Sequence, residues 1–193
     1  MDYRVKLSYR PLKKGDYPQV VALTSKYVNA ERAYQDYMKS VCDSLGETSA
    51  GIAALGEDGI LVGAAIAEKG MHLTGGREDF FTQIRADIGA EEIWSGGIIV
   101  VEEKYQNKKV GAALLIHLLS YFEETGVKHL LLEIWVRPDG CAPSESQLYL
   151  ARSFTDYGTV DNFYAEAPGL EDHVCEVCGH PCKCKAKIAV IHV

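Results

Sequence analysis

Positive charge is in short supply in this chain: 20 lysines and arginines stand against 27 aspartates and glutamates, a formal charge of −7. Phosphate backbones are bound by clustered cations, so no nucleic acid is expected as a partner, and cationic amines suit the balance better. Long apolar runs are missing too. No stretch approaches the roughly 20 residues that a spanning helix needs. The opening residues MDYRVKLSYR alternate polar with apolar, where a secretory leader needs a continuous apolar segment. No membrane association and no secretion are expected, and a cytoplasmic setting is. Cysteine is sparse outside one place: Cys42 and Cys141 stand alone, whereas the other four crowd into CEVCGHPCKC. That distribution suits a metal site better than a disulfide framework in a reducing compartment. There is no internal repeat and no low-complexity linker. What remains is an ordinary globular composition, 47% apolar and 24% charged over 193 residues, enough for one domain spanning 1–193 with a sizeable core. Such a domain would be a monomer or homodimer.

Hydrophobic periodicity places the elements. Tyr3, Val5, Leu7 and Tyr9 alternate with polar residues as in a half-buried strand. Asp16 is placed to cap a helix that has Pro18 in its first turn and ends near Asn29, and a second helix runs from Arg32 to about Leu45. Two apolar runs around Asp58 and Gly59 predict a hairpin. Residues 74–90 admit a short helix on a long connection. WSGGIIVVE and HLLLEIWV are branched, continuous runs expected of central strands buried on both faces. Between them Val110, Ala113, Leu114, His117, Leu118 and Tyr121 form a helical stripe closed by Gly126. DNFYAEA and KIAVIHV predict two last strands with the cysteines between them. The class is α/β, with a mixed central sheet of about seven strands flanked by helices on both faces.

A strand that feeds directly into a helix leaves the first helical amides unpaired, and those amides with the helix dipole form a seat for phosphate. YQNKKVGAALL, after the run Ile99, Val100, Val101, is such a junction: Gly111 and Ala112 let a pyrophosphate near the backbone, and Lys108 and Lys109 add charge. An ordinary surface loop with solvated lysines is the plainer reading. IVVEEKYQNKKVGAALL resembles the coenzyme A segment of the GCN5-related N-acetyltransferases, whose pattern is Gln or Arg, two residues, Gly, one residue, Gly or Ala. Gln106 and Gly111 fall on it, while Lys109 stands where the first glycine usually is. The resemblance implies that acetyl-CoA is the cosubstrate. The backbone of Ile99, Val100 and Val101 would hold its pantetheine arm, and the amides of Asn107, Lys108, Lys109, Val110, Gly111 and Ala112 its pyrophosphate.

LYLARSFTDYGTVDNFY is similar to the family's later element in its ribosomal-protein alanine, or N-terminal-amine, branch. Tyr149 falls on the tyrosine, Phe154 on an aromatic, Gly158 on a glycine, and Phe163 with Tyr164 on an aromatic pair, with Ser153 replacing a glycine. LLLEIWV resembles that branch's strand and puts Glu133 at its proton acceptor, whereas the following loop, RPDGCAPSES, is longer than the family's and carries Pro138 where an asparagine is usual. The implied function is direct transfer of an acetyl group from acetyl-CoA to a primary amine, on a protein N-terminus or a small molecule. The chemistry itself asks for such groups: an ammonium must lose a proton before it attacks, to Glu133 directly or through water, and Tyr149 can protonate the leaving thiolate. Glu133 as a paired structural charge and Tyr149 as a packing residue are the alternatives. A non-catalytic acyl-CoA-binding sensor is the rival function.

Cys175, Cys178, Cys182 and Cys184 lie within a knuckle at 173–184 inserted in the C-terminal hairpin. The two-residue gap of the first pair lets both thiolates face one zinc ion, and the second pair follows closely enough to complete a tetrahedron. His173 and His180 are possible substitutes, iron–sulfur ligation is a lesser alternative, and a metal-free thiol cluster is the third. Four protein ligands would make the zinc structural.

Overall fold

In the computed structural model, the described residues are 6–74, 77–89, 91–142, 145–165, 175 and 177–193. The strands are β1 (Ser8–Pro11), β2 (Ser49–Leu55), β3 (Leu61–Lys69), β4 (Ile93–Val101), β5 (His129–Val136), β6 (Ser153–Val160) and β7 (Lys185–His192). The helices are α1 (Tyr17–Tyr27), α2 (Arg32–Asp43), α3 (Glu78–Ile88) and α4 (Val110–Thr125). The strands follow the order β1-β2-β3-β4-β5-β7-β6 in one mixed seven-stranded sheet, the predicted α/β class. The chain divides into two compact units, one of Met1–Lys69 with Gly97–Thr125 and one of Gly70–Gly96 with Gly126–Val193.

In the first unit, β1, β2 and β3 form an antiparallel meander. Its turn is the predicted one: Gly59 adopts a left-handed φ of 74°, and the Asp58 carboxylate accepts the Ile60 amide at 3.0 Å. β2 and β3 are built of alanine, glycine and branched residues, so α4 lies close. A side chain at Gly63 would come within 3.1 Å of Leu114 and 3.2 Å of the Val100 carbonyl. The buried face of α4 is Val110, Leu114, Leu115, Leu118 and Phe122. Val110, Leu114, Leu118 and Phe122 step by four, so Phe122 takes the inward place that the predicted stripe gave to Tyr121, and exposed His117 stacks on Tyr9 with ring centres 4.5 Å apart. Asp16 does stand at the start of α1, with Pro18 in the first turn, but its carboxylate does not cap the helix. It forms a two-point pair with Arg10 at 2.7 and 2.9 Å and accepts the Lys13 amide at 2.8 Å. The Arg10 hydrogen bonds hold its carboxyl below the ordinary value, against the opposing effect of burial.

In the second unit, β4 pairs in parallel with β5 from Ile93↔His129 to Gly96↔Leu132, and β5, β7 and β6 follow antiparallel. Residues 74–90 do contain a helix, α3, whose Phe80, Phe81 and Ile84 pack with Ile93, Leu131, Ile188 and Val190. Three expectations shift. The first strand is shorter than Tyr3–Tyr9, and Tyr3 and Val5 lie outside the described residues. DNFYAEA is no strand over its described part: residues 161–165 are turn, and the partner of β7 is the preceding SFTDYGTV. A bulge at Gly158, with φ 102° and its amide on the Asp156 carboxylate at 2.8 Å, lets β6 stay paired across its two strand-poor residues, Asp156 and Gly158. Finally, β4 is not buried on both faces throughout: it is buried at Ile93–Ser95 and exposed at Gly97.

Candidate active site and metal centre

The predicted phosphate seat lies in the first unit. After β4 the chain makes one short turn, Glu103–Tyr105, and then a tight loop into α4. Asn107 and Lys109 both sit in the left-handed region, at φ 57° and 63°. Lys109 therefore has the backbone that a glycine would take without strain. Left-handed residues in a tight turn help aim nearby amides toward one side, as in an anion-binding nest. The first bond of α4 runs from the Ala113 amide to the Lys109 carbonyl at 3.0 Å, so the amides of Val110, Gly111 and Ala112 have no carbonyl in a preceding helical turn. Asn107, Lys108 and Lys109 are exposed, and the Lys108 ammonium lies 5.9 Å from the centre of the Tyr105 ring. Gln106 ties the loop back to β4, its Nε2 donating to the Val101 carbonyl at 2.9 Å. Of the strand Ile99, Val100 and Val101, only Val100 is buried.

Glu133 and Tyr149 lie in the second unit. Glu133, on β5 opposite Ile188, accepts the Thr74 amide at 2.7 Å and the Thr74 hydroxyl at 3.0 Å. Burial, and then the charge of the Glu133 carboxylate, hold the Tyr164 phenol well above its ordinary value. Thr74 was not legible as a partner of Glu133: it lies 59 positions before it, and no local spacing joins them. Tyr149 stands on the short 3-10 turn Glu145–Leu150. Leu148 is fully buried, whereas Tyr149 is 73% exposed and meets Phe154 edge-on at 5.7 Å, so packing does not account for its side chain. Lys187 of β7 anchors both the start of this turn, through Glu145, and Asp156 of β6. Ser95 is buried and structural: its hydroxyl donates to the Gly70 carbonyl at 2.8 Å and accepts the His72 amide at 2.7 Å. Glu91 pairs with His129 and Lys128.

The four clustered cysteines come together, their sulfurs all within 4.8 Å of one another. Cys175 and Cys184 are 3.7 Å apart, Cys178 and Cys182 3.7 Å, and Cys178 and Cys184 3.6 Å. Four thiolates about 2.3 Å from one tetrahedral ion put neighbouring sulfurs about 3.8 Å apart, close to these three spacings, so the donor set fits zinc. All six cysteines are free thiols. Cys175 and Gly179 exchange backbone hydrogen bonds of 3.2 and 2.8 Å, and Gly179 at φ 75° closes the turn between Cys178 and the second pair. The Lys183 amide, 3.1 Å from the Cys178 sulfur, lowers that thiol to about 7, while burial pushes Cys184 up to about 12. Four thiolates in so small a buried cluster repel one another, and a divalent cation removes that cost. Trp135 and Tyr164 pack against the cluster. His173 lies outside the described residues.

The Acetyltransferase (GNAT) family matches residues 17–142, more than half of the chain. No curated protein sequence matches. Solved structures share the fold over nearly the whole length. NAA60 of Arabidopsis thaliana, seen with a bisubstrate analogue, is 15% identical with a TM-score of 0.65, over 97% of this chain and 98% of that one. The ribosomal-protein-S18-alanine N-acetyltransferase of Escherichia coli is 19% identical with a TM-score of 0.59, over 97% and 94%. The arylalkylamine N-acetyltransferase 2 of Aedes aegypti is 14% identical with a TM-score of 0.64, over 97% and 99%.

Proposed function

The chain belongs to the acetyltransferase (GNAT) family, as an acetyl-CoA-dependent N-acetyltransferase, and on that premise we propose that it acetylates a primary amine by direct attack on the acetyl-CoA thioester. The observation that carries this reading is the loop before α4. Two non-glycine residues, Asn107 and Lys109, hold left-handed backbone immediately before a helix start with three unpartnered amides. Such a conformation costs about 1–2 kcal/mol at a residue with a side chain, and it is retained where amides must point together. The amides from Asn107 to Ala112 bind the pyrophosphate, and the edge of Ile99–Val101 binds the pantetheine arm.

Glu133 accepts the ammonium proton, directly or through one water. The free amine attacks the thioester carbonyl carbon, the carbon–sulfur bond breaks, and Tyr149 gives its phenolic proton to the departing thiolate. The structures that share the fold include enzymes whose names specify a protein alanine and an arylalkylamine, so peptide N-termini and arylalkylamines head the acceptor classes. Cys175, Cys178, Cys182 and Cys184 hold one structural zinc, which leaves no open position for substrate. The test is CoA release over a panel of peptides and amines, run with wild type and Gly111→Glu. At least one acceptor should turn over, and the variant, which puts bulk and negative charge at the pyrophosphate seat, should lose acetyl-CoA binding by calorimetry. Unchanged affinity in the variant would remove the seat from α4.

A further inference from the structure

Glu68 is a carboxylate held in place without a cation. It stands half-buried near the end of β3, where the Tyr37 hydroxyl of α2 donates to its Oε2. Among the described residues its Oε1 receives no hydrogen bond and no lysine, arginine or histidine pairs with it. Tyr37 is 44% exposed, and its ring lies 5.9 Å from that of Tyr34, which packs against the core cluster that includes Met38 and Ile66. The oxygen that accepts Tyr37 also lies 3.9 Å from where a Cβ would stand on Gly97 of β4, and Gly97 is exposed. A carboxylate with lone pairs to spare therefore borders open backbone.

The place of Gly97 on its strand gives that opening a meaning. The register of β4 with β5 ends at Gly96, and β4 runs on from Gly97 to Val101 without that partner. A pantetheine arm along Ile99–Val101, with its pyrophosphate beyond them at Asn107–Ala112, carries its thioester at the other end, toward Gly97. Tyr34, Tyr37, Glu68 and this length of β4 all belong to the first unit.

From this juxtaposition we propose that Glu68 is the residue that binds the acceptor, holding the ammonium of the incoming amine with the ring of Tyr37 beside it. The proposal deepens the assignment of the β4 edge to acetyl-CoA and rests on it. An ammonium offers three N–H donors, which a carboxylate with a free oxygen accepts, and it is drawn to the face of a tyrosine within about 6 Å. The Tyr37 hydroxyl orients the carboxylate without cancelling its charge, because it is a neutral donor, and Tyr34 supports Tyr37 from behind. The substrate class follows: an unblocked primary amine that arrives protonated is selected over its neutral counterpart. Glu68 makes and breaks no bond. Its contribution is to affinity for the acceptor, and the proton acceptor remains Glu133.

The experiment has one arm that needs no turnover and one that does. In the first, backbone amide shifts of the intact protein are followed as CoA is added, and then tyramine or its uncharged alcohol counterpart, tyrosol. An alanine-initiated peptide and its Nα-acetylated form make a second pair. CoA should move the amides of Ile99–Val101, and the cationic member of at least one pair should then move that of Gly97, binding at least tenfold more tightly than its neutral counterpart. Loss of a hydrogen bond to a charged group is worth about 10- to 100-fold, and Glu68→Gln should weaken the cationic probe in that range. In the second arm Glu68→Gln should raise the acceptor KM about tenfold, with kcat and the acetyl-CoA KM within about twofold of wild type, the mark of binding lost equally from ground and transition states. Glu68→Asp should recover part of the loss. CoA shifts that appear as expected, with no preference for the cation in either pair, overturn this proposal alone, and that comparison needs only the wild type. Unchanged probe affinity in folded Glu68→Gln does the same. A kcat lowered 100-fold at constant acceptor KM would make Glu68 the base, against this proposal and against Glu133 together. Amides of Ile99–Val101 indifferent to CoA remove the edge assignment, and this proposal with it.

Discussion

Lys109 offers a measurement of the strain in the phosphate loop, because its side chain and its backbone can be separated. Lys109→Ala removes the ammonium and keeps a Cβ at φ 63°; Lys109→Gly removes the ammonium and the Cβ. Both variants lose the same charge, so their difference reports the backbone. A residue with a Cβ costs about 1–2 kcal/mol in left-handed conformation. Glycine returns about 0.5–1 kcal/mol of that through the greater freedom of its unfolded chain. Lys109→Gly should therefore be more stable than Lys109→Ala by about 1 kcal/mol, which in a chain of this length raises the melting temperature by about 2–4 °C. Lys109 is exposed, so its charge contributes little to affinity. Both variants should bind acetyl-CoA about twofold more weakly at low salt, and the difference should fade in high salt as the interaction is screened. Thermal melts followed by circular dichroism and calorimetric titration with acetyl-CoA read both effects. An alanine variant that melts at or above the glycine variant would refute strain at this position, and with it the argument that the loop is held open for a ligand.

Tyr149→Phe should lower kcat by about 10²–10⁴-fold and leave acetyl-CoA affinity unchanged, since an exposed phenol contributes little to stability; retained turnover in steady-state assays would reduce Tyr149 to a surface residue. Elemental analysis should find about one zinc per chain, and Cys182→Ser should lower the melting temperature along with the metal content, because structural zinc in short peptides is worth about 10–16 kcal/mol of apparent binding energy. Metal-free protein with four titratable thiols and unchanged melting would exclude the site. Asp16→Asn should destabilise the protein by about 1.5–3 kcal/mol, the loss of charged hydrogen bonds from Arg10. Because the folded Asp16 carboxyl titrates below its unfolded value, its contribution is full above the ordinary carboxylate range and is lost as pH falls through the folded value. Denaturant melts should therefore show the wild type and Asp16→Asn converging in acid, and a gap that persists there would contradict the Arg10 pairing.

Elements with a strong period were legible in the sequence, and those that depend on distant partners were not. The Asp58–Gly59 turn, α1, α2 and the runs at β4 and β5 carry local signals: a left-handed glycine, a first-turn proline, branched apolar residues. β6 carries none. Its residues Ser153–Val160 alternate poorly and include Asp156 and Gly158, and they become a strand because β7, with Ile188, Ala189, Val190 and Ile191 fully buried, supplies the pairing edge. The stretch DNFYAEA has fewer β-branched and aromatic residues than SFTDYGTV and is turn over its described part. The cysteine knuckle was legible because ligand spacing is local. Its neighbours Trp135 and Tyr164 were not, since one lies on a strand read for its core and the other was noticed only as half of an aromatic pair.

Glu133 shows why local reading cannot assign a proton acceptor by itself. A carboxylate on an apolar strand reads equally as a structural charge or as a base. A carboxylate has about four lone-pair sites, and the Thr74 amide and the Thr74 hydroxyl use two. A purely structural charge would be paired with a cation or have all its sites filled. Among the described residues Glu133 shows neither: its two donors are neutral, and about two sites remain. Neutral donors fix orientation without supplying a competing positive charge, so the remaining sites can receive a cationic amine or the water that serves it. The two bonds also make the site directional, because both oxygens are held and the carboxylate cannot rotate without breaking a bond to Thr74. That is the arrangement expected of a base whose work is positional, and it makes Thr74 a residue whose loss should be felt in kcat before it is felt in stability.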